Sequence, residues 1–195
     1  MAIKQLISFG KHAQPSWQKG VFSVELALAG VFIAMILAFI SDMVSKQTLQ
    51  GHLQRLSYSA VNVVKERTQL YNESDQVDDN QVNTLFNIIS NSMGRSMSGF
   101  DRQRLAMHLE QLRFIRNGNG SFDQDPVSFK RGTLECEPAH RLSTQPKLHI
   151  ETSWGRMATL YQVTLCYRGD NWFGNALGDG SDYSRVAASS LMLGR

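Results

Sequence analysis

The chain has 195 residues, 42% of them hydrophobic, and a formal charge of +3 from 20 Lys and Arg against 17 Asp and Glu. That composition excludes a disordered chain, a collagen-like fibre and a polytopic membrane protein, and the length suits one domain with an appendage. Lys4, Lys11 and Lys19 carry the whole excess within residues 1–20, which contain no acid, and the remainder balances at 17 against 17. The charge therefore marks a short basic tail and indicates no nucleic-acid-binding surface.

Residues 21–40, VFSVELALAGVFIAMILAFI, contain one charge. Twenty helical residues rise about 30 Å, the thickness of a bilayer's hydrocarbon core. A lone segment in lipid must satisfy its own backbone polar groups, so a helix is the expected state. The reading is a cytoplasmic tail over 1–20 and a single transmembrane helix over 21–41. Three lysines precede the run, whereas Ser41, Asp42 and Lys46 follow it. The positive-inside bias places everything beyond about residue 41 across the membrane. A cleaved signal peptide is the competing reading, and Ala27-Leu28-Ala29 imitates its cleavage pattern. That site lies inside the apolar run, and Phe39-Ile40-Ser41 offers no clean small-residue alternative after it.

Glu25 is the anomaly in this segment. A carboxylate deep in a bilayer costs on the order of 3 kcal/mol and is a functional candidate by default; near the interface it can simply snorkel to the headgroups. Its context is Lys19-Gly20-Val21-Phe22-Ser23-Val24-Glu25, which resembles the processing site of type IV prepilins. The resemblance implies cleavage between Gly20 and Val21 by a membrane-embedded prepilin peptidase, leaving Glu25 as the fifth residue of the mature chain. It also implies that Glu25 pairs with the free amino terminus of a neighbouring subunit. Two isolated charges in lipid are costly, and pairing them sets axial register. Leu26 stands where major pilins of the tight-adherence branch usually carry an aromatic residue.

Beyond Asp42, Leu49, Leu53, Leu56, Ala60 and Val63 recur at helical spacing, with Val64, Leu70 and Tyr71 widening the stripe. No proline interrupts 21–71, so the expectation is one continuous helix whose stalk spans 42–71, with Gly51 as its weakest point. The alternative is a membrane helix followed by a separate amphipathic one. The head would occupy 72–195. An acidic break, NESDQV at 72–77, leads to a second helix with Asp78 as N-cap and Gln81 at the capping-box position. Val82, Leu85, Phe86 and Ile89 form its packing face, and Ser92-Met93-Gly94 closes it.

Residues 95–104 are polar and turn-like, 106–114 suit a strand or a short helix, and Asn117-Gly118-Asn119-Gly120-Ser121 is a turn. Leu148, Ile150 and Thr152 alternate as an edge strand would. Thr159–Tyr167 is the clearest strand, with Tyr161, Val163, Leu165 and Tyr167 on one face and Gln162, Thr164 and Cys166 on the other. Trp172-Phe173 lie in a glycine-rich loop over 169–180, and Val186–Leu193 suits a last strand. The fold class is α+β: a long N-terminal membrane-spanning helix, then a small extracytoplasmic head with a second helix and an antiparallel β-sheet.

Cys136 and Cys166 are the two cysteines, both on the far side of the membrane. In an oxidising compartment they permit one intramolecular bridge; two buried free thiols are the alternative. No catalytic pattern is present. The histidines lack HExxH spacing, Gly10-Lys11 is no phosphate loop, and Asp170, Asp179 and Asp182 miss calcium-loop spacing. Ligation by Cys136, His140 and His149 would compete with the bridge. The expectation is a protein that is not an enzyme and uses neither cofactor nor metal.

The layout resembles the TadF type of minor pseudopilin from the tight-adherence system. The likeness extends through Leu56-Ser57-Tyr58, Lys65–Tyr71, Leu160–Tyr167, Asn171-Trp172-Phe173 and Ser189–Arg195. It implies a low-copy subunit that initiates or supports assembly of the tight-adherence (Flp-type) pilus used in attachment and biofilm formation. Its implied partners are the prepilin peptidase, other pilins and pseudopilins, and an inner-membrane assembly platform. Its implied place is the bacterial inner membrane, single-pass, with a periplasmic C-terminal domain. A signal-anchored periplasmic scaffold or sensor is the alternative from another class.

Overall fold

The computed structural model describes residues 18–70, 76–170 and 184–194. The chain divides into two compact units, Met1–Ser41 and Asp42–Arg195. Helix α1, Gln18–Leu70, is one uninterrupted element, so the continuous-helix expectation holds and Gly51 stays helical. No side chain approaches the space a Cβ would fill at Gly51, so the missing side chain serves no local packing there.

In the second unit, α1 contributes Leu49, Leu53, Ala60, Val61 and Val64 to the core. Val63 was expected on this stripe but is exposed; Val61 and the fully buried Ser57 take the inner positions. The Ser57 hydroxyl lies 2.7 Å from that of Ser190, which satisfies a polar group inside an apolar seam. Helix α2, Asp79–Ser96, begins where expected: the Asp78 amide donates to Gln81 Oε1 at 3.1 Å. Val82, Leu85, Phe86, Ile89 and Met93 are its buried face. The helix runs two residues past Gly94, because Met93 is fully buried and holds the last turn on the core.

Four strands form one antiparallel sheet: β1 (Leu105–Arg116), β2 (Phe122–Gly132), β3 (Leu160–Arg168) and β4 (Arg185–Leu193), in the order β2-β1-β3-β4. The ambiguous 106–114 stretch is thus a strand, and a central one. Asn117–Ser121 is the turn between β1 and β2, with the Asn117 amide donating to Ser121 O at 2.7 Å and Gly120 at φ +85°. β2 carries no clear alternation and contains Pro126, which masks it in the sequence. As the outermost strand it tolerates a residue with no N–H. Gly132 ends it at φ +96°, where a Cβ would overlap the Leu105 carbonyl and the Ala106 backbone.

The sheet separates two cores. Leu105, Met107, Leu109, Tyr161, Val163, Leu165 and Tyr167 pack against α1 and α2. The opposite rows, Ala106, His108, Glu110 and Leu112 on β1 and Leu160, Gln162, Thr164 and Cys166 on β3, are also buried. They lie beneath the irregular segment 133–158, which supplies Cys136, Leu142 and Leu148. That third layer explains why β1 and β3 are buried on both faces. The strand expected around 148–152 is absent: Pro146–Leu148 is a 3-10 turn, and pairing is limited to a single bridge between Glu151 and Met157. Most of the acidic break, and Trp172-Phe173, lie outside the described residues.

Candidate functional site: an uncovered apolar helix and a clamped sheet face

Gly20, Val21 and Glu25 all belong to α1. Glu25 lies five helical steps beyond Gly20, a rise of about 7.5 Å. Glu25 is exposed, as are Phe22, Val24, Leu26, Leu28, Val31, Phe32, Ile33, Met35, Ile36, Leu37, Phe39 and Ile40 around it. Among the described residues, none covers the most apolar 18-residue window, which is wholly unburied. By length and composition this segment is consistent with a single membrane-spanning helix. Hydroxyls near its end are satisfied within the helix: Ser41 Oγ donates to Leu37 O and Thr48 Oγ1 to Val44 O, each at 2.9 Å. Lys46 and Asp42 pair at 2.7 Å on adjacent turns. Charge thus returns to the helix immediately after the apolar run.

In the head, Cys136 and Cys166 are joined, with Cα atoms 5.7 Å apart. Cys166 lies on β3 and Cys136 at the start of the covering segment, so the bridge ties that segment to the strongest strand. Two further ties act alongside it. The Leu142 amide donates to Glu110 Oε2 at 3.2 Å. Glu137 accepts from Lys130 Nζ on β2 at 2.7 Å and from Arg141 Nη2 at 3.1 Å, and these donors hold its carboxyl down to about 2.

His108 and Glu110 had no counterpart in the sequence reading, although HLE within an apolar run is the signal that could have found them. They face the covering segment together, with His108 Nε2 at 3.7 Å from Glu110 Oε1. His108 is almost fully buried, and among the described residues neither ring nitrogen finds a hydrogen-bond partner. Burial pushes its pKa down and outweighs the nearby Glu110 carboxylate. Gln162 Nε2 and Thr164 Oγ1 both meet the Ser189 hydroxyl, at 2.8 and 2.9 Å, which continues a polar seam across β3 to β4.

The sequence matches the family model TadF, described as "Putative tight adherence pilin protein F", over residues 15–195. The chain belongs to the TadF family. The match begins five residues before Gly20, so it includes Gly20, Val21 and Glu25 and runs on through Cys136 and Cys166. TadF membership thus covers the apolar helix and the whole α+β head. No curated protein and no solved structure matches this TadF chain.

Proposed function

We propose that this TadF protein is a minor pseudopilin that supports or initiates assembly of the tight-adherence pilus and is not an enzyme. Residues 21–41 anchor it in the bacterial inner membrane, with residues 1–20 in the cytoplasm and the head in the periplasm. A prepilin peptidase removes residues 1–20 between Gly20 and Val21. The freed amino terminus and Glu25 then pair between neighbouring subunits, neutralising charges that lipid solvates poorly. Other pilins and pseudopilins and the membrane assembly platform are its partners. In the oxidising periplasm the Cys136–Cys166 bridge forms and clamps segment 133–158.

One observation carries this reading: in a TadF chain, an apolar helical segment that the described residues leave uncovered is continuous with a folded head. Such a helix is an anchor and a packing surface at once, which is what a subunit drawn from a bilayer into an assembly needs. Intact-mass measurement of the protein from cells with and without the prepilin peptidase tests it. The expected result is a mature chain beginning at Val21 only where the peptidase is active. A chain beginning at Met1 in both strains would instead favour a membrane-tethered scaffold. Replacing Glu25 with Ala should leave cleavage intact and abolish co-purification with other subunits; normal co-purification would remove Glu25 from assembly.

A further inference from the structure

We propose that the cavity between β1, β2 and the covering segment 133–158 binds a primary aliphatic amine, with the ammonium on Glu110 and the alkyl chain along Leu112, Pro126 and Leu142. The cavity measures about 190 Å³ and lies wholly within the second unit. Glu110 and Leu112 line it from β1, Pro126 and Ser128 from β2, and Arg141 and Leu142 from the covering segment. Glu110 pairs with Ser128 across the ladder and Leu112 with Pro126, so these four make one block on a single face of the sheet. The short turn Leu142–Thr144 is held over that block by the Leu142 amide, which donates to Glu110 Oε2.

Charge is unbalanced here. Glu110 is 8% exposed, and a carboxylate so buried is costly without a cation or several donors. Oε2 has its one backbone donor, and among the described residues Oε1 has no hydrogen-bond partner. The two nearby cations are committed elsewhere: Glu137 takes both Lys130, at 2.7 Å, and Arg141, at 3.1 Å. His108 Nε2 stands 3.7 Å from Oε1, beyond hydrogen-bond length. Burial disfavours the charged imidazole, so at neutral pH that ring supplies no counter-charge. The complement to Glu110 is therefore a cation rich in donors.

The walls choose among cations. Leu112 and Leu142 are buried and Pro126 has no N–H, so beyond Glu110 the cavity offers mainly apolar contact. A metal ion needs several ligands, and no group of three His, Cys, Asp or Glu exists among the described residues. An anion would meet the Glu110 carboxylate, and a second cationic group on the same molecule would meet Arg141. An ammonium brings three N–H donors and no acceptor. The ligand is thus a short monoamine, free or as the end of a lysine side chain, since both present the same butylammonium group.

Methyl resonances of Leu112 and Leu142 are followed in the full chain, in detergent micelles, as n-butylammonium chloride is added at constant ionic strength. The expected result is saturable shifts at both leucines with a dissociation constant on the order of 1 mM. n-Butanol, which lacks the charge, and n-butyltrimethylammonium, which lacks the N–H donors, should each bind about tenfold more weakly or worse. Glu110→Gln should weaken butylammonium binding by about tenfold or more. Should that variant fail to fold, Ser128→Leu decides: it fills the cavity from the edge strand, leaves Glu110 in place and should abolish the shifts. Equal saturation by butanol or by sodium or magnesium chloride, binding unchanged in either folded variant, or shifts that never saturate would each overturn the proposal. A photoreactive phenylalanine analogue at Ser128, in cells, then separates the two sources. An adduct at a lysine of another polypeptide that butylammonium competes away supports a lysine side chain; saturation without such an adduct supports a free amine.

Discussion

One helix contains two regions of different apolar content and opposite circumstance. From Phe22 to Val44 the large apolar side chains of α1 point in all directions and are exposed; from Leu49 to Val64 most lie on one stripe, where Leu49, Leu53, Val61 and Val64 are buried, while Tyr58 and Val63 are exposed. The difference is one of arrangement as well as amount. An all-round apolar surface cannot be covered by one sheet, because a helix packed on a sheet hides only the side that faces it. It is left for lipid or for many neighbours. A stripe can be covered, and the head covers it with β1, β3 and α2. Backbone continuity through α1 therefore joins an element that depends on its surroundings to one that brings its own.

This contrast can be broken most directly with one substitution made twice, in the full chain in detergent micelles. Leu53→Ala should cost the head about 2–5 kcal/mol in denaturant unfolding, because Leu53 is fully buried. Leu28→Ala, on an exposed leucine, should change it by less than about 0.5 kcal/mol. Equal losses would mean that the apolar segment has an intramolecular cover after all. Next in size is the clamp: Cys136→Ser with Cys166→Ser should lower stability by about 3–4 kcal/mol, the entropy of closing a 30-residue loop. The wild-type chain should change electrophoretic mobility with reductant and the variant should not.

Gly132→Ala should cost about 1–3 kcal/mol, combining a left-handed backbone with overlap on Leu105 and Ala106. Gly51→Ala on open helix should be neutral or slightly stabilising by the same assay. The smallest effect is a pH dependence confined to the head. His108 has its pKa below the ordinary 6.5, so the folded state binds fewer protons than the unfolded one as pH falls past that value. Its contribution is intact above about 6.5 and is lost on acidification towards the lower folded value. The thermal midpoint should fall between pH 7.5 and 5.5, and His108→Leu should flatten that slope.

Much of this was legible locally. The apolar run, its basic preface and the Glu25 context are contiguous in sequence and need no partner to be seen. The Asp78–Gln81 helix start and the 117–121 turn are likewise decided by neighbouring residues. β3 was legible because it alternates strictly. β2 was not, because an edge strand with Pro126 and mixed charge has no face that must be apolar. Leu148, Ile150 and Thr152 misled for a related reason: they alternate, but only Leu148 finds a buried neighbour cluster while Ile150 is exposed.

What the sequence by itself determined is the division of labour: a charge-poor helix of bilayer length, a stalk with one apolar side and a head with two cysteines. Those features rest on composition and on spacing along one helix or strand. Only the tertiary structure decided that residues 133–158 form a third layer, that His108 and Glu110 are sealed beneath it, and that β2 and β4 are the edges. Sheet order brings together residues far apart in sequence, and an edge exists only once every other strand has chosen its neighbours.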